Sequence, residues 1–283
     1  MPGTLFVVAT PIGNLDDVTA RALRVLREVD VIAAEDTRRT SHLLTRYAIT
    51  TPTTSLHEHN EQKKTATLLA RLGAGGSIAL VSDAGTPTVS DPGQRLIQAA
   101  IAAGVKIEPI PGPSAILATL AASGFPADSF LFLGFPPTRS KDRKQWFERL
   151  RGATGTVVLF EAPHRLRRTL SEIQEAMGDL EAVAGREITK IHEELVRGPI
   201  STVLSALVEP RGEFTIALYV GQTTELAVEL VGSEKAAVAD FSLITELTGA
   251  SRRAIVAALA KRHGLHPNRV YALLEAAKSD SLS

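Results

Sequence analysis

Cysteine is absent from all 283 residues. That excludes disulfides, thiolate nucleophiles and cysteine-held zinc or iron–sulfur centres. Neither sign of charge is in excess: 31 Lys and Arg balance 31 Asp and Glu. No global field therefore advertises a polyanionic partner, and any nucleic-acid contact has to come from local patches. No apolar run approaches the roughly 20 residues of a membrane span. Met1-Pro2-Gly3 leads straight into a strand-like segment, without the basic and apolar regions of a signal peptide, so a cytoplasmic protein is expected. Two phosphate-binding fingerprints are missing as well. There is no G-x-x-x-x-G-K-[ST], and the first turn, Thr10-Pro11-Ile12-Gly13-Asn14, is not G-x-G-x-x-G. A P-loop nucleotide site and an ordinary dinucleotide site are both disfavoured. What remains is ordinary globular composition, 44% hydrophobic and 22% charged, with length for one large domain or two to three smaller ones.

The most informative stretch is Val81 to Gly93. A short apolar run from Ser77 to Val81 reads as a buried strand, and Leu96, Ile97, Ala100 and Ile101 recur at helical spacing beyond it. Asp91 is expected to cap that helix, with Pro92 in its first turn. Ser82 to Ser90 is then a long polar turn at the carboxyl end of a strand, where open α/β sheets bind ligands. Similar turns recur: Thr10 to Asn14 after the strand Leu5 to Ala9, Glu35 to Arg39 after Val31 to Ala34, and Pro111 to Ser114 after Val105 to Ile110. Strands alternating with helices imply a largely parallel sheet, which gathers all four turns on one rim and makes a ligand cleft. The few charges in these turns suit a zwitterionic, nucleoside-like cofactor better than a polyphosphate.

The fold class is therefore α/β, with a first domain over 1–122 and a second α/β domain over 123–222. In the second, strands are expected at Phe130 to Gly134, Thr156 to Phe160, Glu181 to Arg186, Lys190 to Arg197 and Phe214 to Val220. Gly221 to Ala239 reads as a linker. Phe241 to Leu247, Arg252 to His263 and Asn268 to Ala277 read as three short helices of a C-terminal domain over 239–283. A short turn before the helix carrying Arg269 is helix-turn-helix-like. Six basic residues against four acidic ones there, Arg252 and Arg253 among them, fit nucleic acid, and a helical cap or dimer contact fits equally.

Several groups could remove a proton in the cleft. Glu35 and Asp36 sit on the rim, and Asp36 is also a helix cap. His57 and His59 alternate as at a strand end, so one face could present both. Arg38, Arg39, Arg165, Arg186 and Lys190 read as phosphate binders rather than bases.

Val8-Ala9-Thr10-Pro11-Ile12-Gly13-Asn14-Leu15, Ala33-Ala34-Glu35-Asp36-Thr37-Arg38, Ser82-Asp83-Ala84-Gly85-Thr86-Pro87 and Pro109-Ile110-Pro111-Gly112-Pro113-Ser114-Ala115 resemble the ribosomal RNA branch of the tetrapyrrole-methylase-like family. The likeness continues through Phe132-Leu133-Gly134-Phe135, Phe160-Glu161-Ala162-Pro163-His164-Arg165, Arg186-Glu187-Ile188-Thr189-Lys190 and Gly212-Glu213-Phe214. It implies S-adenosylmethionine in a cleft between two α/β domains of a homodimer, and 2′-O-methylation of cytidine 1402 in 16S rRNA. Carried over by motif, the cofactor meets Ile12, Asp83, Ala84, Gly85, Thr86, Ser114, Ala115, Phe160 and Glu213. Given an RNA substrate, Arg139, Lys141, Arg143 and Lys144 of the basic segment Arg139 to Arg151 become backbone contacts. The first loop lacks the glycines of the tetrapyrrole-modifying relatives, which supports the RNA branch over a porphyrin or corrin substrate.

Overall fold

The computed structural model describes residues 2–221 and, beyond them, 255–256, 259–260, 263 and 269–274. Met1–Val220 forms one compact unit and Gly221–Ser283 a second. The first sheet comprises β1 (Thr4–Val8), β2 (Val31–Ala34), β3 (Thr53–Ser55), β4 (Ile78–Val81) and β5 (Lys106–Ile110) in the order β3-β2-β4-β1-β5. Every pairing within it is parallel. In β4 the side chains alternate between faces. Ala79 and Val81 pack with α1 (Ala20–Glu28) and α2 (Thr37–Arg46), whereas Ile78 and Leu80 pack with α3 (Glu61–Gly73) and α4 (Gln94–Ala102). Both faces are thus covered, which is why β2 and β4 are uninterrupted apolar runs. Each fully buried Leu or Ile contributes about 1.5–3 kcal/mol to holding the layers together.

β1 and β4 are neighbours, yet their chains leave toward opposite faces, one into α1 and the other into α4. The crevice outside their carboxyl ends is a topological switch point. Reciprocal backbone bonds between Thr10 and Gly85, at 2.9 and 3.0 Å, tie the two departing loops together there.

A second sheet holds β6 (Phe130–Phe132), β7 (Gly155–Glu161), β8 (Glu181–Arg186), β9 (Glu194–Pro199) and β10 (Phe214–Gly221), ordered β6-β7-β10-β8-β9. It is mixed: β6 and β7 run parallel, while β8 is antiparallel to both β9 and β10. α6 (Ser140–Arg151), α7 (Pro163–Met177) and α8 (Ile200–Ala206) cover one face. The other face receives α5 (Ala115–Ser123), whose Ile116 and Leu120 cluster with Val158, Val183 and Ala217. α5 follows β5 in sequence, but it carries no charged residue and buries against the second sheet, joining the two layers. β9 begins later than the expected Lys190, because Glu187 to Glu193 forms a turn closed by the Lys190 and Glu193 amides.

In the second unit, the described positions are helical, and Ile255, Val256, Leu259, Ala260, Val270 and Leu274 form one apolar cluster. The expected linker beyond Gly221, the helix Phe241 to Leu247 and the arginines Arg252 and Arg253 lie outside the described residues. No helix among the described residues is long and apolar enough to cross a membrane.

Candidate active site

The four strand-end turns and the second sheet enclose a cavity of about 440 Å³, within the range of small-molecule sites. Ile12, Asp83, Ala84, Gly85, Thr86, Ser114, Ala115, Phe160 and Glu213 all line it, as do Glu35 and Arg39. Their convergence follows from a shared strand direction for the first-sheet residues. For Phe160 and Glu213 it follows from the α5 joint, which brings the end of β7 and the start of β10 over the same opening.

The loops after β2 and β4 are cross-linked by their own acids. The Asp83 amide donates to Glu35 Oε2 at 3.3 Å, and the Asp36 amide donates to Asp83 Oδ1 at 3.0 Å. Arg39 Nη1 lies 3.3 Å from Asp83 Oδ2. Burial pushes the Glu35 carboxyl above its ordinary value, and the neighbouring Asp83 charge adds to that. Asp36 behaves oppositely. Side-chain and backbone hydrogen bonds from Arg38 hold it at about 2. It caps α2 through the Arg38 amide and does not line the cavity. A permanently ionised, fully engaged cap is a weak base, so Asp36 is removed from the candidates. His57 is also outside the cavity. It sits in the turn before α3, its amide bonded to Asn60 Oδ1 and its ring 6.0 Å from that of His59. The strand-like alternation expected for these two histidines does not form, because β3 ends at Ser55.

Asp91, expected as the cap of α4, has no such duty. α4 starts at Gln94 after Gly93 with φ 117°, and Glu61 Oε1 from α3 accepts from the Gly93 and Arg95 amides at 3.1 and 2.9 Å. Asp91 instead lines the cavity with Glu35 and Asp83. Its carboxyl is raised to about 6, first by burial and then by the charge of Glu35. Phe135 also lines the cavity and is 51% exposed, its ring 5.3 Å from that of Phe160. The turn carrying it is fixed from behind. The Phe160 amide donates to Gly134 O at 3.1 Å, and the Arg165 guanidinium donates to Pro136 O. Arg165 in turn pairs with Glu161, a cavity residue only 1% exposed that also accepts from Thr169 at 2.6 Å.

The basic residues separate into two groups. Arg38, Arg139, Lys141 and Lys144 are exposed, as is Arg39 at the cavity. Arg269 occupies an exposed helical position in the second unit. Arg143 is turned inward onto Glu172, Thr169 and Pro137 O. Arg165 is committed to Glu161, Arg186 to Glu194 and Arg211 O, and Lys190 to Glu187 and Glu213. These four hold the second sheet and its loops together rather than presenting free cations.

The chain matches the family model for tetrapyrrole (corrin/porphyrin) methylases over residues 4–204. It belongs to the tetrapyrrole methylase family. Among curated relatives, a ribosomal RNA small subunit methyltransferase I from Synechocystis is 47% identical over 79% of this chain and 81% of its own length. Its namesake from Pseudomonas aeruginosa is 40% identical over 95% of both chains. With relatives this similar, this tetrapyrrole methylase family member is a methyltransferase of the ribosomal RNA branch. Solved structures share the fold at low identity. Uroporphyrin-III C-methyltransferase from Thermus thermophilus, complexed with S-adenyl homocysteine, has a TM-score of 0.56 at 18% identity over 77% of this chain and 97% of that one. A diphthine synthase reaches 0.61 at 17% identity, over 77% and 90%.

Proposed function

We propose that the protein transfers a methyl group from S-adenosylmethionine to the ribose 2′-oxygen of cytidine 1402 in 16S rRNA, as a cytoplasmic homodimer. The carrying observation is the cavity itself, which combines five carboxylates, three aromatic rings and the first turn of α5 in one small-molecule-sized space. Those residues suit the donor's chemistry. Glu35, Asp83 and Asp91 favour a ligand with positive charge. Phe160, Ile12 and Ala115 offer an apolar bed for an adenine ring. The leading amides of α5, after the Ser114 cap, suit a carboxylate. The donor, when bound, supplies a methyl group on a positively charged sulfur.

The protein's own contribution is to bind, orient and deprotonate. Loop-to-loop bonds through Glu35, Asp83 and Asp36 fix the cavity wall before ligand arrives, so little ordering remains to be done on binding. Arg38, Arg39, Arg139, Lys141 and Lys144 are the exposed cations offered to RNA phosphates, and Arg252, Arg253 and Arg269 are their counterparts in the C-terminal unit. The name of the relatives, ribosomal RNA small subunit methyltransferase I, supports an rRNA acceptor, and the absence of the glycine-rich first loop favours it over a tetrapyrrole.

The test is transfer of labelled methyl from S-adenosylmethionine to small ribosomal subunits and to naked 16S rRNA, followed by mapping of the modified nucleotide. Label on the 2′-oxygen of one cytidine is expected. Label on a base, or none on either substrate, would sink the reading. Sedimentation in the same buffer checks for the dimer.

A further inference from the structure

Phe135 stands half-exposed at the cavity, while its neighbour Pro136 is buried. A single exposed apolar side chain is ordinary on a protein surface, but this one is fixed in place. Four carbonyls around the ring accept from the scaffold. Leu133 O takes the Trp146 indole N–H at 3.1 Å, and Gly134 O takes the Phe160 amide at 3.1 Å. Pro136 O accepts from the Arg165 guanidinium and Pro137 O from Arg143 Nη1 at 3.1 Å. Both arginines are themselves anchored, Arg165 on buried Glu161 and Arg143 on Glu172 and Thr169. Gly134 turns the chain with φ 61°, which glycine adopts without steric penalty. The exposure of the ring is imposed by the turn beneath it.

The ring also has a defined setting. Phe132 meets Phe160 edge-on with centroids 5.0 Å apart, and Phe160 meets Phe135 at 5.3 Å, so Phe135 is the exposed end of three linked rings. Across the opening lies the long loop after β4, where Ser90 Oγ would be 3.7 Å from a Cβ on Gly134. The cavity, at about 440 Å³, has the size of a site for one small molecule. A donor inside it leaves the acceptor nucleotide to be held at the mouth. Beyond Phe135 the chain runs directly into exposed Arg139, Lys141 and Lys144. Arg139 is four residues on, at most about 14 Å of chain.

We propose that Phe135 is the platform on which the acceptor's nucleobase stacks, with Arg139, Lys141 and Lys144 holding the flanking phosphates. This rests on the methyl-transfer reading above. A base can lie on a protein ring only when it is out of its own helix, so the nucleotide taken is an unpaired one. Stacking fixes where the attached ribose lies and so brings its hydroxyl to the cavity. Every base has a π-face, and the platform therefore selects an unpaired nucleotide rather than a cytidine. Because the backbone under the ring is already held, little ordering is lost on binding.

The test compares Phe135→Ala, Phe135→Leu and Phe135→Tyr with the unaltered protein on small ribosomal subunits, with S-adenosylmethionine affinity read by calorimetry. The bonds that hold the turn run through backbone carbonyls, so all three variants should keep urea midpoints close to that of the unaltered protein. Phe135→Ala should lower kcat/KM for the subunits by about 5- to 150-fold, the worth of one base–aromatic stack. Its donor affinity should change by less than about threefold. Phe135→Leu keeps apolar bulk without a π-face and should fall with the alanine variant. Phe135→Tyr keeps the ring and should stay within about threefold of the unaltered kcat/KM. Four results would overturn the assignment: a loss below about fivefold in Phe135→Ala, a parallel loss of donor affinity, which would put the ring on the donor instead, a Phe135→Leu enzyme as active as Phe135→Tyr, or a Phe135→Tyr enzyme as poor as Phe135→Ala. No transfer by the unaltered protein would overturn the methyl-transfer reading and this one with it. Normal transfer alongside a fully active Phe135→Ala enzyme would overturn this one only.

Discussion

The two sheets contribute opposite kinds of chemistry to one cavity. The first sends backbone turns and carboxylates from the ends of parallel strands, and those carboxylates are half-buried, mutually repelling and raised in pKa at Glu35 and Asp91. The second sends aromatic rings and acids that are already neutralised: Glu161 by Arg165, Glu213 by Lys190. A parallel sheet with both faces covered has its free edges of chemistry only at its rim, so reactive groups collect there. A mixed sheet braced by ion pairs makes a firmer wall and a poorer source of titratable groups. The half whose carboxylates repel one another is suited to ligand chemistry, and the half whose acids are paired is suited to scaffolding.

The largest effect that should separate them is on stability. Glu161→Ala leaves the Arg165 guanidinium, 22% exposed, without its carboxylate. Breaking a buried pair from one side costs about 3–5 kcal/mol, which urea unfolding would read directly. Arg38→Ala, which removes a solvent-screened exposed pair with Asp36, should leave the urea midpoint nearly unchanged. Equal losses in the two variants would erase the distinction between scaffold and rim.

Next in size is ligand affinity. Asp83→Asn keeps the shape but removes the charge that pairs with Arg39 and accepts from the Asp36 amide. Loss of a charged hydrogen-bonding partner is worth about 1.5–3 kcal/mol, so donor affinity should fall roughly 10- to 100-fold by calorimetry. Unchanged affinity would remove Asp83 from the binding wall.

A third contrast lies in pH dependence. Asp91 is raised from 3.8 to about 6 in the folded protein. Between those values the folded state holds a proton that the unfolded chain has released, so stability falls as pH rises through the window. Ligand-free Asp91→Asn should therefore melt higher than the unaltered protein above pH 6, and the difference should vanish toward pH 4. Glu161→Ala should show no such crossing, being destabilised throughout.

What sequence reading reached, and what escaped it, divides along the same line. Turns at the ends of parallel strands share a rim because the strands share a direction, so Ile12, Asp83, Thr86 and Ser114 could be placed together from local pattern alone. Partnerships across the chain could not. Ser90-Asp91-Pro92-Gly93 has the local form of a helix start, and nothing near it says that Glu61, thirty residues earlier, caps that helix instead. Arg143, Arg165 and Lys190 read as free cations because the carboxylates that hold them, Glu172, Glu161 and Glu213, are brought in by tertiary packing. Phe135 escaped for a related reason. Its ring is half-exposed only because the turn beneath it is pinned by Phe160 and Arg165.

The smallest expected effect tests the joint between the halves. Thr119 of α5 is fully buried, and its hydroxyl has no hydrogen-bond partner within the protein. Gly185 of β8 packs so closely that a Cβ there would lie 2.8 Å from that oxygen. A buried hydroxyl left unsatisfied costs about 1–3 kcal/mol, whereas an apolar group of the same shape does not. Thr119→Val should then raise stability by up to about 1 kcal/mol, read as a higher urea midpoint at unchanged slope. The gain would identify α5 as an apolar strut whose polar atom is incidental. A loss would mean that the hydroxyl is satisfied by something beyond the protein's own atoms. Because Gly185 lines the cavity while Thr119 does not, that something would be bound water at the junction of the reactive and scaffolding halves. The joint would then be a hydrated hinge rather than a dry contact.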